Sequence, residues 1–319
     1  MKVKLRWALL AVALLVLVVL MAGSFYFSDL LLDSQTSDLA GEQARLEEVY
    51  QEMGVSDDFR LPTGEEVTIQ NGDVLLAGSY FENEMDGGCA VMLLHGYTGT
   101  RYGALQYAPL FWERGCDILA YDARGHGAST DAFHTYGYYE REDARAAYDW
   151  MLARTGLDPD RVGVVGVSYG AATALQMLPL RPNVAFVLAD SSYQDFRSIV
   201  TYQAVEQFGA WTNAFIPTTF ILSQLEAGFN LDEVSPQTAV IGATAPVLLI
   251  HSATDEFTPP SHSEAIYANS SKETTELYIN NWGSEHARDI LQDYQAYDAL
   301  VDQFLAEHVH NFGLNDDGS

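Results

Sequence analysis

The apolar positions of this chain change character twice along its length. From Trp7 to Gly23 every residue is apolar, and the run continues less purely through Phe25-Tyr26-Phe27. Residues 28–60 are instead acidic and polar, with Leu39, Leu46, Val49, Tyr50 and Met53 at helical spacing, which predicts a helical spacer packed on the rim of the main domain. Beyond it, short apolar or β-branched runs alternate with longer segments of helical period. That alternation is the signature of a mostly parallel sheet covered on both faces. Strands are expected over 66–70 and 74–81, paired as a hairpin around Asn71-Gly72, and then over 89–94, 117–121, 162–167, 184–189, 247–250 and 276–279. Helices are expected over 103–114, 140–155, 169–178, 261–269 and 287–308. The stretch 193–241 interrupts the alternation; its aromatic residues (among them Phe196, Phe208, Trp211, Phe215 and Phe220), with Pro217 between, predict a helical cap over the C-terminal edge of the sheet. The tail, 311–319, is expected to be disordered.

The N-terminal run carries its own charge pattern. Lys2, Lys4 and Arg6 precede it and Asp29, Asp33 and Asp38 come after, so the N-terminus is expected inside and the remainder outside the cytoplasm. Ala22-Gly23-Ser24 is a passable signal-peptidase site, so secretion after cleavage is one reading. Residues 7–27 supply the roughly 20 residues a spanning helix needs, and their aromatic end suits an interface. These features favour an uncleaved signal anchor over 1–27. No Cys follows the run, which excludes a lipoprotein anchor.

A formal charge of −28 opposes binding to nucleic acid, which depends on neutralising phosphates. It fits the solvated surface of an acidic exported protein. The chain's 2 cysteines, Cys89 and Cys116, each stand six residues before a strand-end landmark, His95 and Asp122. On neighbouring parallel strands their sulfurs would lie level; a disulfide and two buried thiols both remain open.

Chemistry concentrates in Gly166-Val167-Ser168-Tyr169-Gly170, set between a predicted strand and a predicted helix. This is the context of a nucleophile elbow, in which glycines admit a strained turn with Ser168 at its apex. A serine hydroxyl needs a base, and the base needs a third group to orient it. Asp255 comes after the strand at 247–250, and His286 after the last strand, so acid and base succeed the serine in the required order. Glu256 and Asp190 are the rival acids. The oxyanion donors are expected to be the backbone N–H groups of Tyr169, at the head of the helix, and Tyr97, in the loop after Leu94-His95-Gly96. His95 and the run Asp122-Ala123-Arg124-Gly125-His126-Gly127-Ala128-Ser129 are read as structural.

Taken together, Leu94-His95-Gly96-Tyr97, Asp122-x-Arg124-Gly125-His126-Gly127-x-Ser129, Gly166-x-Ser168-x-Gly170, Asp255 with Pro259, and His286 resemble the α/β-hydrolase superfamily in order. The resemblance runs from about Glu65 to Val309. Within the superfamily it is similar to the single-domain serine hydrolases of Gram-positive bacteria that border the esterase, lipase and prolyl-oligopeptidase-like groups. Glu285-His286-Ala287 departs from the commoner Gly-His pair. The resemblance implies an α/β-hydrolase fold with a mostly parallel eight-stranded sheet, and hydrolysis through an acyl-enzyme without cofactor or metal. The expectation is an anchor over 1–27, a spacer over 28–60 and a hydrolase domain over 61–310 with its cap at 193–241. The activity expected is that of a carboxylesterase on small or medium apolar acyl esters, the alternative being a serine peptidase of the aminopeptidase or prolyl-oligopeptidase-like type. An inactive binding protein on the same fold is the third reading. The oligomeric state is left open.

Overall fold

The computed structural model describes residues 2–33, 36–57, 60–310 and 312–313. Apart from Phe312 and Gly313, the tail at 311–319 lies outside the described residues.

The helices in chain order are α1 (Lys2–Leu32), α2 (Leu39–Glu52), α3 (Arg101–Ala104), α4 (Ala108–Trp112), α5 (Glu140–Thr155), α6 (Tyr169–Met177), α7 (Phe196–Phe208), α8 (Ile216–Ala227), α9 (Pro236–Ala239), α10 (Ser261–Asn269), α11 (Asp289–Gln292) and α12 (Tyr294–His308). The strands are β1 (Glu65–Asn71), β2 (Val74–Phe81), β3 (Ala90–Leu94), β4 (Asp117–Tyr121), β5 (Val162–Val167), β6 (Val187–Asp190), β7 (Val247–Ser252) and β8 (Thr275–Asn280). They form one eight-stranded sheet in the order β1-β2-β4-β3-β5-β6-β7-β8. The pairs β1–β2 and β2–β4 are antiparallel and all others parallel. Because side chains alternate along a strand, Val91 and Leu93 enter one core with Phe111, Phe186 and Phe304, while Met92 and Leu94 enter the other with Tyr148 and Leu175. Both faces are therefore dry, which is why these strands read as continuous apolar runs rather than as alternations.

Two expected helices are broken. Over 103–114 the chain forms α3, a single 3-10 turn and α4, because Pro109 lacks the N–H that would continue a ladder and instead sits in the first turn of a new helix. Over 287–308, Asp293 leaves the helical region (φ −151°) and its carboxylate accepts from the N–H of Ala296 at 3.0 Å, capping α12 as a separate helix. Cys89 and Cys116, each just before the first paired residue of β3 and β4, are disulfide-bonded with their Cα atoms 4.6 Å apart.

The N-terminal helix is longer than the anchor expected over 1–27 and has two halves. From Val3 to Val19 it is exposed on every side. From Leu20 onward one face packs on the cap, with Ser24, Ser28 and Leu32 buried at successive turns. Small residues permit the approach: a Cβ on Gly23 would come within 2.3 Å of the Phe215 ring. Ser28 Oγ lies 3.0 Å from Ser223 Oγ of α8. The next helix, α2, buries Tyr50 in the main core, with Met53 just past its end, and the Tyr50 hydroxyl donates to the Leu105 carbonyl at 2.8 Å. The region 193–241 holds α7, α8 and α9, and packs through an aromatic cluster of Phe196, Phe220 and Phe229 with Leu32 and Tyr136.

Candidate active site

Ser168 stands between β5 and α6 at φ 54°, ψ −112°, a conformation L residues avoid and one that costs on the order of 1–3 kcal/mol. The surroundings hold it there. Its N–H donates to the Asp190 carbonyl at 2.7 Å, tying the turn to β6. A Cβ on Gly166 would fall 2.3 Å from the Gly170 carbonyl oxygen, and one on Gly170 would fall 2.3 Å from that of Leu94. Only glycine lets β5, α6 and the end of β3 meet this closely.

The three residues of the expected relay converge from far apart in the chain. Nε2 of His286 lies 2.8 Å from Ser168 Oγ, and Nδ1 of the same ring lies 2.7 Å from Asp255 Oδ2. Asp255 is buried, and its Oδ1 accepts from the N–H groups of Phe257 and Thr258 at 2.9 and 2.8 Å. Burial alone would raise this carboxyl's pKa; hydrogen bonds from His251 and His286 outweigh it and hold the group well below the usual carboxylate range. With Asp255 ionised and accepting, the His286 proton resides on Nδ1, leaving Nε2 free to accept the serine proton. Both rival acids lie elsewhere. Glu256 is exposed. Asp190, the last residue of β6, is buried, accepting from the hydroxyls of Tyr107 and Tyr297 at 2.8 and 3.0 Å and from that of Ser191 at 2.9 Å.

Residues 104–311 match the profile of the prolyl oligopeptidase family. The chain belongs to that family. It is 29% identical over 217 residues to YqkD of Bacillus subtilis, covering 67% of this chain and 70% of that one. Among solved structures it is similar to the Pyrococcus furiosus esterase Pf2001, with a TM-score of 0.64 and 23% identity over 79% of this chain and 93% of that one. The acylaminoacyl peptidase of Pyrococcus horikoshii superposes with a TM-score of 0.61 at 18% identity, over 79% of this chain and 42% of that one. The fold is that of the α/β hydrolases, and this family member is a hydrolase by superfamily.

In this prolyl oligopeptidase family chain, the loop after β3 lies against Ser168. A Cβ on Gly96 would be 3.8 Å from Ser168 Cβ, so the peptide of Tyr97 borders the serine. Tyr169 opens α6, where the first N–H groups have no helical carbonyl to meet. Its side chain is fixed by a 2.8 Å bond to Glu140. His95 has a structural role, with Nδ1 donating to the Gly96 carbonyl at 2.8 Å and Nε2 accepting from the Ala123 N–H at 2.9 Å. In the loop after β4, Asp122 accepts from Arg101 at 2.9 Å and Arg124 grips Asp143 through two bonds of 2.6 and 2.8 Å.

Three contributors escaped the sequence reading. His251, at the end of β7, is buried with Nε2 3.2 Å from Asp255 Oδ2 and 2.6 Å from the Thr258 carbonyl, so it buttresses Asp255. Glu42 of α2 accepts from the Thr100 N–H and hydroxyl at 2.8 and 2.6 Å, securing the loop that carries Tyr97. The third is α1. A cavity of about 210 Å³ leads from Ser168 beneath the cap, and Phe27, Leu30 and Leu31 of α1 form part of its wall beside Phe208, Phe215 and Phe220. The Tyr97 hydroxyl donates to the Leu31 carbonyl at 3.1 Å. The position of an apolar N-terminal helix in the chain carries no signal that its end will wall a pocket. On the other side of Ser168 and His286 an open groove is edged by Glu256 and Glu285.

Proposed function

We propose that this protein is a serine hydrolase that cleaves carboxylic esters with apolar acyl groups through an acyl-enzyme. Ser168 attacks the carbonyl carbon, His286 takes its proton and returns it to the departing alcohol, and Asp255 orients and stabilises the imidazolium. The backbone N–H groups of Tyr97 and Tyr169 hold the oxyanion, helped by the positive end of α6. Water then repeats the sequence to release the acid. One observation carries this reading: the bonded series Asp255–His286–Ser168 ends in the wall of a cavity whose described lining is uncharged. The same lining favours ester over aminopeptidase chemistry, since it offers no carboxylate to a free amine on the acyl side. The α1 helix serves as an uncleaved anchor, N-terminus inside, with the catalytic domain outside the cytoplasm; the basic flank at Lys2, Lys4 and Arg6 supports that orientation.

The deciding experiment is a panel of acyl nitrophenyl esters and peptide anilides run on wild type and Ser168→Ala. Esters should be cleaved by the wild type and the variant should lose at least about 10³-fold, together with labelling by a fluorophosphonate probe. Cleavage of anilides alone would replace the esterase by a peptidase. An unlabelled, inert wild type would leave a binding protein.

A further inference from the structure

The anchor cannot cross a bilayer before the domain begins. The part of α1 exposed on every side, from Val3 to Val19, rises about 25 Å, and only about 20 Å if Arg6 marks the inner boundary. A hydrocarbon core is about 30 Å thick. The missing one or two turns fall in residues 20–26, which already pack on the cap. Ser24 Oγ donates to the Phe215 carbonyl at 3.4 Å, and the Phe27 ring, three residues on, meets those of Phe208, Trp211 and Phe215 at 5.5, 6.0 and 5.9 Å. A spanning anchor therefore draws this edge of the cap into the outer leaflet.

The surface at that edge suits such a place. Residues 207–225 contain no charged side chain, in a chain where charged residues make up 19%. Trp211, Ile221 and Leu225 are 57%, 56% and 77% exposed, and Pro217, Ile221 and Leu225 recur at every fourth position of α8 on its exposed side. Phe25 and Tyr26, also exposed, are aromatic residues of the kind found at headgroup level, and Asp29 and Asp33 come next, where water should begin. The cavity opens here as well. Leu30 of α1 and Phe208 of α7 both line it and are both 39% exposed, whereas Ser168 at its inner end is 9% exposed.

We propose that the cavity is loaded sideways from the outer leaflet and that its substrate is a membrane-resident acyl ester. The chain passes between Leu30 and Phe208, at headgroup level, while the ester carbonyl reaches Ser168, so few of its methylenes meet water. Chemically, the Ser168 oxygen bonds the acyl carbon, the alcohol leaves with the proton held by His286, and water releases the fatty acid. This inference rests on the esterase and uncleaved-anchor readings and adds the class and source of the substrate.

The test uses full-length protein in phosphatidylcholine vesicles and two esters: water-soluble 4-nitrophenyl butyrate, and 4-methylumbelliferyl oleate dissolved in the bilayer. The double variant Ile221→Asp/Leu225→Asp touches neither cavity nor triad. It should keep the butyrate rate within about twofold and lose at least about tenfold on the bilayer ester. Brominated phosphatidylcholine should quench a larger share of wild-type tryptophan emission than of Trp211→Phe emission. Wild type that cleaves butyrate but not the bilayer ester overturns the inference, as does a double variant unchanged on both, or equal quenching with and without Trp211. Wild type inert on both esters overturns the esterase reading itself. A mature chain whose mass begins near Ser24 overturns the anchor reading and this inference with it.

Discussion

Replacing Asp255 by Asn tests the site at its most determined point. The Oδ1 end of the carboxylate accepts from two backbone N–H groups, those of Phe257 and Thr258. An Asn side chain must therefore keep its carbonyl oxygen there, since an amide NH2 would face two donors. Its nitrogen is forced into the Oδ2 position, 2.7 Å from His286 Nδ1. A donor at that point compels Nδ1 to accept, which moves the imidazole proton to Nε2, the atom that in the proposed reaction receives the proton of Ser168. His286 then offers Ser168 no free nitrogen, although the fold persists. Comparable Asp→Asn changes in Ser–His–Asp enzymes cost about 10⁴ in kcat, equivalent to about 5 kcal/mol of barrier. The assay is kcat and KM on a soluble nitrophenyl ester, with circular dichroism to show that the fold persists. KM should change little, because the cavity is untouched. A loss below about tenfold in a folded variant would refute the orientation of His286 by Asp255.

Neighbouring contacts set further expectations. Gly170→Ala should destabilise by at least about 1–3 kcal/mol in urea melts and abolish most ester hydrolysis, because its methyl collides with the backbone of Leu94 and His95 rather than with a movable side chain; an active, fully stable variant would contradict the tight elbow. Replacing Cys89 and Cys116 by Ser opens a loop of sequence separation 27 and should cost about 3 kcal/mol on the chain-entropy account, lowering Tm by several degrees; equal melting with and without reductant would refute it. Asp289 is buried, with Asp190 nearby, and these two causes push its pKa from the ordinary carboxylate range up to about 7. The folded state then holds a proton that the unfolded chain releases, so this residue's contribution falls as pH rises from about 4 to 7 and stays low above that. Asp289→Asn should lose less stability than wild type between about pH 4.5 and 8, by a few kcal/mol in order of magnitude, and identical slopes would show that Asp289 is not protonated.

Much of the architecture was legible because its determinants are local. Strand and helix periods repeat within a few residues, and Gly166, Ser168 and Gly170 between an apolar run and an amphipathic one specify the elbow from within five positions. The sequence alone thus determined the α/β alternation, the order Ser–Asp–His and the anchor-like N-terminus. Helix breaks at Pro109 and Asp293 fell inside segments whose apolar period continued across them, so periodicity could not see them. Tertiary structure decided what depended on distant partners. That Asp255, and not Glu256 or Asp190, meets His286 is a contact made across 31 positions, and the His286–Ser168 bond spans 118. Whether the cysteines bond turned on the pairing of β3 with β4. The end of α1 became a wall of the cavity only because Gly23, Ser24 and Ser28 let the cap close against it. Short-range pattern specifies which way a side chain faces; what it faces is settled only when segments far apart in the chain compete for the same buried space.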